Sequence, residues 1–388
     1  MDILGPVRAR LYKLYKRIDA VIVKYHRSYL VFACLFALTG YVLILIFPAL
    51  IIISSSQLYQ SLTENTMTDW QQISIWSVLL ALATLLSYRS IITKPLQPAG
   101  LIINDKKLPK IFHLIQSFNQ HFKRPIIQRV VITEQYELDI IKTPRWVLPF
   151  WTHNTLVIGL PVLLCLSPKQ FECMLARRLG QFSKHHNRLT NWLYQLRAIW
   201  RQFYLSYKKQ KYPDSKILQW LCASYAAIYD TVTVYAARKD ELYADLYAME
   251  LFNHEDVREM ITADMVYRDY LKNHFWPAVA KFAATQSKSP AAPYQKITPT
   301  IQAHLKTGKL NALVNKIFTS YPGWQDPNPS LQKRLENIGH DSPYMPEPQG
   351  ASAATHYLGA ALNTVIDIMN KLWQKNQMQN NKHNKTAK

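Results

Sequence analysis

Two long apolar runs stand near the start of the chain. Residues 29–53 contain no charged side chain, and residues 73–88 form a second run that reaches spanning length with its flanks. A helix needs about 20 apolar residues to cross a hydrocarbon core of about 30 Å. The pattern predicts transmembrane helices over 29–53 and 73–92. The alternative, a helical hairpin buried in a soluble core, is disfavoured because uncharged runs of this length are rare there.

Basic residues flank the two apolar runs. The segment 1–28 carries seven Lys or Arg against two Asp, and Arg89 and Lys94 follow the second run. The connector 54–72 has no Lys or Arg. By the positive-inside rule, this asymmetry predicts a basic cytoplasmic N-terminal segment, a short external loop over 54–72 and both termini in the cytoplasm.

The whole chain is strongly basic, with 46 Lys and Arg against 25 Asp and Glu and a formal net charge of +21. Such an excess indicates a polyanionic neighbour. Much of it lies beside the apolar runs and no nucleic-acid-binding motif is present, so we expect the lipid bilayer as a partner and no nucleic acid. The four cysteines include no Cys-x-x-Cys pair, which predicts neither a disulfide framework nor a zinc ribbon.

Beyond residue 93 the pattern changes to that of a water-soluble domain in which helical periodicity dominates. β-branched and aromatic runs predict strands in this region, over 126–133, 145–149 and 154–159. We expect a mainly α fold of the α+β type, with one domain over 93–345 that carries a small sheet. Residues 346–388 are expected to form an amphipathic helix followed by a basic, disordered tail.

One helix of this domain carries unusual polar residues. Ser167 marks its start, with Gln170 three residues on as a capping-box partner. Its apolar residues recur with helical spacing and indicate one buried face, at Phe171, Leu175, Leu179 and Phe182. Arg177 and Gln181 lie four residues apart on a neighbouring face, and Arg178 stands beside them.

Short motifs follow the two apolar runs in order: Gly-Leu-Pro-x-Leu-Leu, Leu-Ser-Pro-x-Gln-Phe, Leu-Ala-x-x-Leu-Gly, Arg-x-x-Glu-x-x-Ala-Asp and Asn-Pro-Ser-Leu-x-x-Arg-Leu. This order, over roughly residues 29 to 340, resembles that of the membrane-bound zinc metallopeptidases related to HtpX and the CAAX prenyl proteases, of the gluzincin type. The resemblance implies a zincin-like, predominantly helical domain and a location in a bacterial inner membrane.

In those enzymes a His-Glu-x-x-His helix supplies two zinc ligands and the general base. The resemblance places the first ligand on Arg177, the base on Arg178 and the second ligand on Gln181. A guanidinium group offers no lone pair to a metal and keeps its proton, so Arg178 cannot act as a base. The His-Glu-x-x-His motif is therefore degenerate in this chain.

The remaining family positions lie further along the chain. The third zinc ligand falls on Glu241, and the acid that supports a ligand from the second shell falls on Asp245. The family's later His-Pro and downstream Arg fall on Asn328-Pro329 and Arg334. Because Glu241 alone remains of the three ligands, we expect no metal, no other cofactor and no catalytic residue.

Two alternatives would retain an enzyme. A metal site with altered ligands could use His185 or His186 together with Glu241, in which case the cofactor would be zinc. Cys173, one turn before Arg177, could act as a nucleophile, although a buried helical cysteine is more common.

We expect Arg177, with Arg178 or alone, to replace the zinc electrostatically by pairing with Glu241 and Asp245. These two acids are four residues apart on one helix face, and two buried carboxylates without a cation would be costly. The alternative is that the arginines are exposed and the acid pair is coincidental.

The resulting functional expectation is a membrane-anchored pseudoprotease that binds or regulates a membrane protein or an extended peptide. The alternatives are an active zinc metalloendopeptidase with an altered site, and a structural protein that binds anionic lipid through its basic surface.

Overall fold

The computed structural model describes residues 21–22, 24–63, 70–93, 96–105, 108–122, 127–144, 152–182, 188–210, 215–285, 292–323, 326–347 and 350–386. Most of these residues are helical. The α-helices are, in chain order, α1 (His26–Thr63), α2 (Trp70–Ile92), α3 (Pro109–His121), α4 (Leu160–Cys165), α5 (Pro168–Gln181), α6 (Arg188–Lys209), α7 (Ser215–Ala248), α8 (His254–Tyr270), α9 (Trp276–Thr285), α10 (Pro293–Lys306), α11 (Lys309–Phe318), α12 (Leu331–Asn337), α13 (Ala353–Leu358) and α14 (Leu362–Thr386). A π-helical turn, Leu271–Phe275, joins α8 to α9.

A small mixed sheet accompanies the helices. Its strands are β1 (Leu101–Ile103), β2 (Arg129–Thr133), β3 (Leu138–Pro144) and β4 (Thr152–Gly159). The spatial order is β1-β2-β4-β3, in which β1 runs antiparallel and β4 parallel to β2. The register pairs Leu101 with Ile132 and Val131 with Val157. The prediction of a mainly helical fold with a small sheet is therefore confirmed.

The chain divides into two compact units. Unit 1 contains residues 1–97, 142–153 and 188–237, and unit 2 contains residues 98–141, 154–187 and 238–388. The division differs from the single domain predicted over 93–345, because residues 188–237 group with the N-terminal helices. Their apolar side chains pack against α1, which hydropathy alone does not reveal.

In unit 1, α1 and α2 are both long and apolar enough to cross a membrane. Helix α1 has 38 residues and keeps large apolar side chains exposed along its length, among them Val31, Leu35, Val42 and Leu45. Apart from Phe47, its buried residues are small. A Cβ atom at Gly40 would come within 2.6 Å of the Trp200 ring and 2.7 Å of the Tyr225 hydroxyl, so α6 and α7 approach α1 closely there.

Most of the segment 54–72, predicted as an external loop, is helical. Helix α1 continues to Thr63 and α2 begins at Trp70, while 64–69 lie outside the described residues. The hydroxyl groups of Ser55, Ser61 and Thr63 find acceptors within these turns, because each donates a hydrogen bond to the carbonyl group four residues earlier. Most of the segment 1–28 also lies outside the described part of the chain.

Other predicted boundaries in the second half and in the sheet need correction. The strand predicted over 126–133 begins at Arg129, and the segment 145–149 lies outside the described residues. The tail predicted to be disordered continues α14 as far as Thr386. The apolar stripe predicted for this helix is confirmed, with buried side chains at Val365, Ile366, Met369 and Trp373.

Helix α5 lies at the centre of unit 2. It begins as predicted, because the Ser167 hydroxyl accepts a hydrogen bond from the Gln170 backbone N–H and the Gln170 side chain accepts one from the Ser167 backbone N–H. From Phe171 to Gln181 almost every residue is buried. A methyl group at Gly180 would collide with the Cβ atom of Tyr247, so Gly180 allows α7 to pack closely against α5.

This close packing generates a prediction. Replacing Gly180 with Ala adds a methyl group where α5 and α7 touch, and overpacking of this kind costs about 1–3 kcal/mol. We expect Gly180→Ala to lower the thermal unfolding midpoint of the detergent-purified chain by several degrees. The matched control is Gly350→Ala, where the added methyl group meets no atom within 4 Å. Equal midpoints for the two variants would show that the contact is not tight.

Candidate functional site

Helix α5 buries three polar side chains within unit 2. Arg177, Arg178 and Gln181 are 2%, 7% and 3% exposed. Because the helix is covered on all sides, these groups cannot reach bulk water and must find partners inside the protein. The arginines are therefore not the exposed pair that the alternative reading of the sequence required.

The partners come mainly from the C-terminal part of α7. Glu241 and Asp245 lie one helical turn apart and are 2% and 0% exposed, and the neighbouring Asp240 is 3% exposed. Buried carboxylates are costly unless they are paired and hydrogen-bonded. The C-terminal part of α7 thus presents a row of acidic side chains to α5.

Arg177 bridges the two acids of this row. Its Nε donates a hydrogen bond to Asp245 Oδ1 at 2.6 Å, and its Nη2 forms an ion pair with Glu241 Oε2. The same Nη2 also donates to the backbone carbonyl of Glu241 at 3.3 Å. One guanidinium group therefore pairs with both carboxylates and holds α5 against α7.

Arg178 approaches Glu241 from the other side. Its Nη1 donates to Glu241 Oε1 and to Gln181 Oε1, both at 2.8 Å, and its Nε donates to the Leu138 carbonyl at 3.0 Å. The amide nitrogen of Gln181 then donates to Asp240 Oδ2 at 2.7 Å. Both oxygens of the Glu241 carboxylate consequently face a guanidinium group.

Arg334 on α12 completes the surroundings of Asp245. Its Nε and Nη2 form a two-pronged pair with Asp245 Oδ2 at 2.9 Å and Oδ1 at 2.7 Å. Its Nη1 lies 3.8 Å from Asp264 Oδ2, and Asp264 Oδ1 accepts a bond from Arg268 at 3.0 Å. Planar guanidinium groups are suited to such two-pronged recognition of carboxylates.

The seven side chains form an alternating chain of charge that we call the arginine–carboxylate network. In spatial order its members are Arg178, Glu241, Arg177, Asp245, Arg334, Asp264 and Arg268. Every acid in it lies between two arginines, so no carboxylate is left without a cation. The network ties together α5, α7, α8 and α12, which are far apart in the sequence.

The charges in the network shift one another's pKa values. Burial alone would raise the pKa of Glu241, but Arg178 and Arg177 outweigh it and hold this pKa well below its ordinary value. Asp264 behaves in the same way, since Arg268 and Arg334 overcome its burial and lower its pKa. Burial opposes the charged form of Arg177, but Asp245 and Glu241 more than compensate and raise its pKa. Glu241, Asp264 and Arg177 are therefore ionised at neutral pH.

This arrangement does not fit a zinc ion. Zinc needs lone pairs from imidazole, thiolate or carboxylate groups, whereas the positions around Glu241 carry two guanidinium groups and an amide. Both Glu241 oxygens already accept hydrogen bonds, so binding a metal would require breaking these pairs. Within the described residues, no group of three or more His, Cys, Asp and Glu side chains is placed to hold a metal ion.

The remaining sequence candidates lie apart from this network or outside the described residues. Asn328 is exposed, and its backbone and side-chain N–H groups donate to Asp326 Oδ1. His185 and His186 are not among the described residues. Cys173 is fully buried, and this burial raises the pKa of its thiol, which is opposite to what a nucleophilic cysteine requires.

Sequence reasoning missed several members of the network. Arg334 was recognised only as a position of the resembling family, and its pairing with Asp245 was not foreseen. Asp264 and Arg268 were not identified at all, and neither was Asp240, which accepts a hydrogen bond from Gln181 beside the network. A usable signal existed for Asp264, because an acid in a stretch of buried apolar residues on α8 demands a cation.

Comparison of the chain with protein-family models, with curated proteins and with solved structures found no match.

The depressed pKa values predict how stability depends on pH. A carboxyl group whose pKa is lower in the folded state stabilises the fold above its unfolded-state pKa and loses this contribution as the pH falls towards the folded-state value. For Glu241 the loss should begin below its ordinary value of 4.5. Removing one partner of a buried ion pair costs about 3–5 kcal/mol. We therefore expect Glu241→Gln to be strongly destabilised at neutral pH, with a deficit relative to wild type that shrinks as the pH falls below 4.5.

Thermal unfolding of the detergent-purified chain at a series of pH values would measure this effect. The control is Glu255→Gln, because the Glu255 side chain is 63% exposed and its pair with Arg258 lies at the surface. Exposed pairs contribute about 0–1 kcal/mol. A Glu241→Gln deficit that stays constant with pH would contradict the assignment of a depressed pKa to Glu241.

Proposed function

We propose that the chain is a catalytically inactive, membrane-anchored relative of zinc metallopeptidases that binds an extended peptide or a membrane protein. The observation that carries this proposal is the bridge from Arg177 to Glu241 and Asp245. In the resembling enzymes a metal ion balances the corresponding acid. Here a fixed guanidinium group supplies that positive charge.

The proximity of distant motifs supports a zincin-like origin for unit 2. The motif with Arg177 lies on α5, the motif with Glu241 and Asp245 lies on α7, and Arg334 lies on α12. The side chains at these positions, which the resemblance assigns to one site, are in direct contact. Such contact is expected if the three helices are arranged as in a gluzincin.

The chemistry of the site argues against peptide hydrolysis. A metallopeptidase needs a metal-bound water and a base to activate it. Arg178 occupies the position of the base and donates hydrogen bonds to Leu138, Gln181 and Glu241. A guanidinium group that stays protonated has no lone pair with which to accept a proton from water.

A binding role remains open to the same scaffold. β1 and β3 stand at the edges of the sheet, and an edge strand can accept an extended peptide by strand addition. Helices α1 and α2 would anchor the chain in the bilayer with both ends in the cytoplasm. The resemblance places that membrane in a bacterial cell envelope, and the partner would then be a protein or peptide of the inner membrane.

Restoring a metal site tests the relationship to zinc peptidases. The full-length variant Arg177→His/Arg178→Glu/Gln181→His recreates the motif opposite Glu241, and we expect it to bind about one zinc per chain. Zinc is measured by elemental analysis after dialysis, with helical content checked by circular dichroism. Adding Glu241→Gln to this variant is the control and should weaken binding, because it removes the third ligand. We expect the wild-type chain to bind substoichiometric zinc.

Two results would contradict the proposal. A well-folded triple variant that binds no more zinc than the wild type would show that the four positions do not form a zincin site. Stoichiometric zinc in the wild-type chain, lost on Glu241→Gln, would favour an active metallopeptidase instead.

The binding role is tested by affinity capture after cross-linking in intact membranes. We expect the wild-type chain to retain a defined membrane protein or peptide reproducibly. Ile102 is 51% exposed on β1, and Ile102→Asp places a charge beside the sheet edge. If β1 is the edge that receives the partner, this variant should capture several-fold less of it. Met345→Asp, at an exposed residue outside the sheet, is the matched control. Failure of the wild-type chain to retain any partner would contradict the binding role.

A further inference from the structure

An apolar cavity lies within unit 1, between α1, α2, α6 and the first half of α7. The cavity itself has a volume of about 50 Å³, and with its open mouth the space is about 480 Å³. The lining is almost wholly apolar or aromatic and includes Leu43, Phe47, Ser90, Trp200, Tyr207 and Cys222. A cavity of this composition suits a hydrocarbon chain better than a polar ligand.

The position of the cavity on α1 indicates where such a chain would come from. Leu43 and Phe47 belong to the uncharged run 29–53, and Val42 and Leu45 on the same turns are each 61% exposed. In a helix that spans a bilayer, these exposed residues face lipid. The cavity is thus continuous with a lipid-facing surface, and acyl chains are the hydrocarbon that surrounds it.

On three of the four helices, basic residues are close in sequence to residues that line the cavity. Arg89 precedes Ser90 on α2, Lys208 and Lys209 follow Tyr207 on α6, and Lys216 lies near the start of α7. The three lysines are exposed. Asp230 is the single acidic residue among the described positions of unit 1, and it pairs with Arg197. The surplus positive charge beside the cavity therefore complements an anionic headgroup.

The cavity wall also contains a hydrogen-bond donor without an acceptor. The indole Nε1–H of Trp200 is buried and has no partner within the described part of the chain. An unsatisfied buried donor is costly. An ester carbonyl of a glycerophospholipid would satisfy it at the junction between headgroup and acyl chain.

We propose that this cavity and its open mouth bind a segment of one acyl chain of an anionic glycerophospholipid, with the phosphate group held by the neighbouring lysines. Lipid binding at this site does not depend on the proposed pseudoprotease function, because the cavity and the arginine–carboxylate network belong to different units. The lipid would fill space between the membrane helices and the helices of unit 1 that pack against them.

Native mass spectrometry of the full-length chain tests this proposal. The chain is equilibrated with equal amounts of phosphatidylglycerol and phosphatidylcholine that carry identical acyl chains. We expect one phosphatidylglycerol to be retained per chain. Lys208→Gln/Lys209→Gln/Lys216→Gln should reduce the preference for phosphatidylglycerol at least about fivefold, because each lysine near a membrane surface attracts anionic lipid. The control replaces the same number of exposed lysines in unit 2, at Lys306, Lys316 and Lys333.

A second measurement locates the acyl chain. Brominated acyl chains quench nearby tryptophan fluorescence, so brominated phosphatidylglycerol should quench the wild-type chain more than Trp200→Phe. Equal retention of the two lipids by the wild type would overturn the proposal, as would retention of a free fatty acid in place of phospholipid. Identical fractional quenching of wild type and Trp200→Phe would also overturn it.

Discussion

The burial of Arg177 between Glu241 and Asp245 is the constraint on which unit 2 depends. A guanidinium group that is 2% exposed cannot be solvated, and neither can the two carboxylates beside it. Each of these buried charges is tolerated only because it is paired with a buried charge of the opposite sign. The contact fixes the distance between α5 and α7, and Arg334 and Asp264 extend the same requirement to α12 and α8. The hydrophobic core around α5 must form in the one arrangement that satisfies these charges.

A fixed cation differs from a metal ion in what it allows. A metal ion exchanges ligands and offers an open position to water or substrate, which is how it supports catalysis. The Arg177 guanidinium is part of the chain, has directional donors and engages both acids. It can stabilise the fold as a metal does, yet it leaves no reactive position. This physical difference underlies the proposal that the scaffold binds rather than cleaves.

The sequence was informative where local chemistry decides structure. The uncharged runs identified two helices long enough to cross a membrane, and Ser167 with Gln170 identified the start of α5. The resemblance and the cost of burying acids together pointed to Arg177, Glu241 and Asp245 as neighbours. The helix assignments rest on periodicity and capping, which are visible in a single chain, whereas the choice of Arg177, Glu241 and Asp245 also needed the resemblance.

Contacts between distant segments were not predictable in the same way. The two-pronged bond from Arg334 to Asp245 depends on where α12 packs, and no local pattern specifies this. The short strand β1 has three residues, too few for an alternating pattern. The turns of α1 after residue 53 are polar, so hydropathy did not predict that the helix continues through them. Their hydroxyl groups donate hydrogen bonds to carbonyl groups four residues earlier. The packing of α6 against α1 was not predicted either.

The most direct test of the central claim is a double-mutant cycle between Arg177 and Glu241. The variants Arg177→Met, Glu241→Gln and their combination would be compared by urea unfolding of the full-length chain in mild detergent. Directly paired residues show coupling free energies of about 0.5–3 kcal/mol, and a pair as buried as this one should lie at the upper end. The account predicts that the double variant loses much less stability than the sum of the single variants. Losses that add within about 0.5 kcal/mol would contradict it, because they would mean that Arg177 does not hold the charge of Glu241.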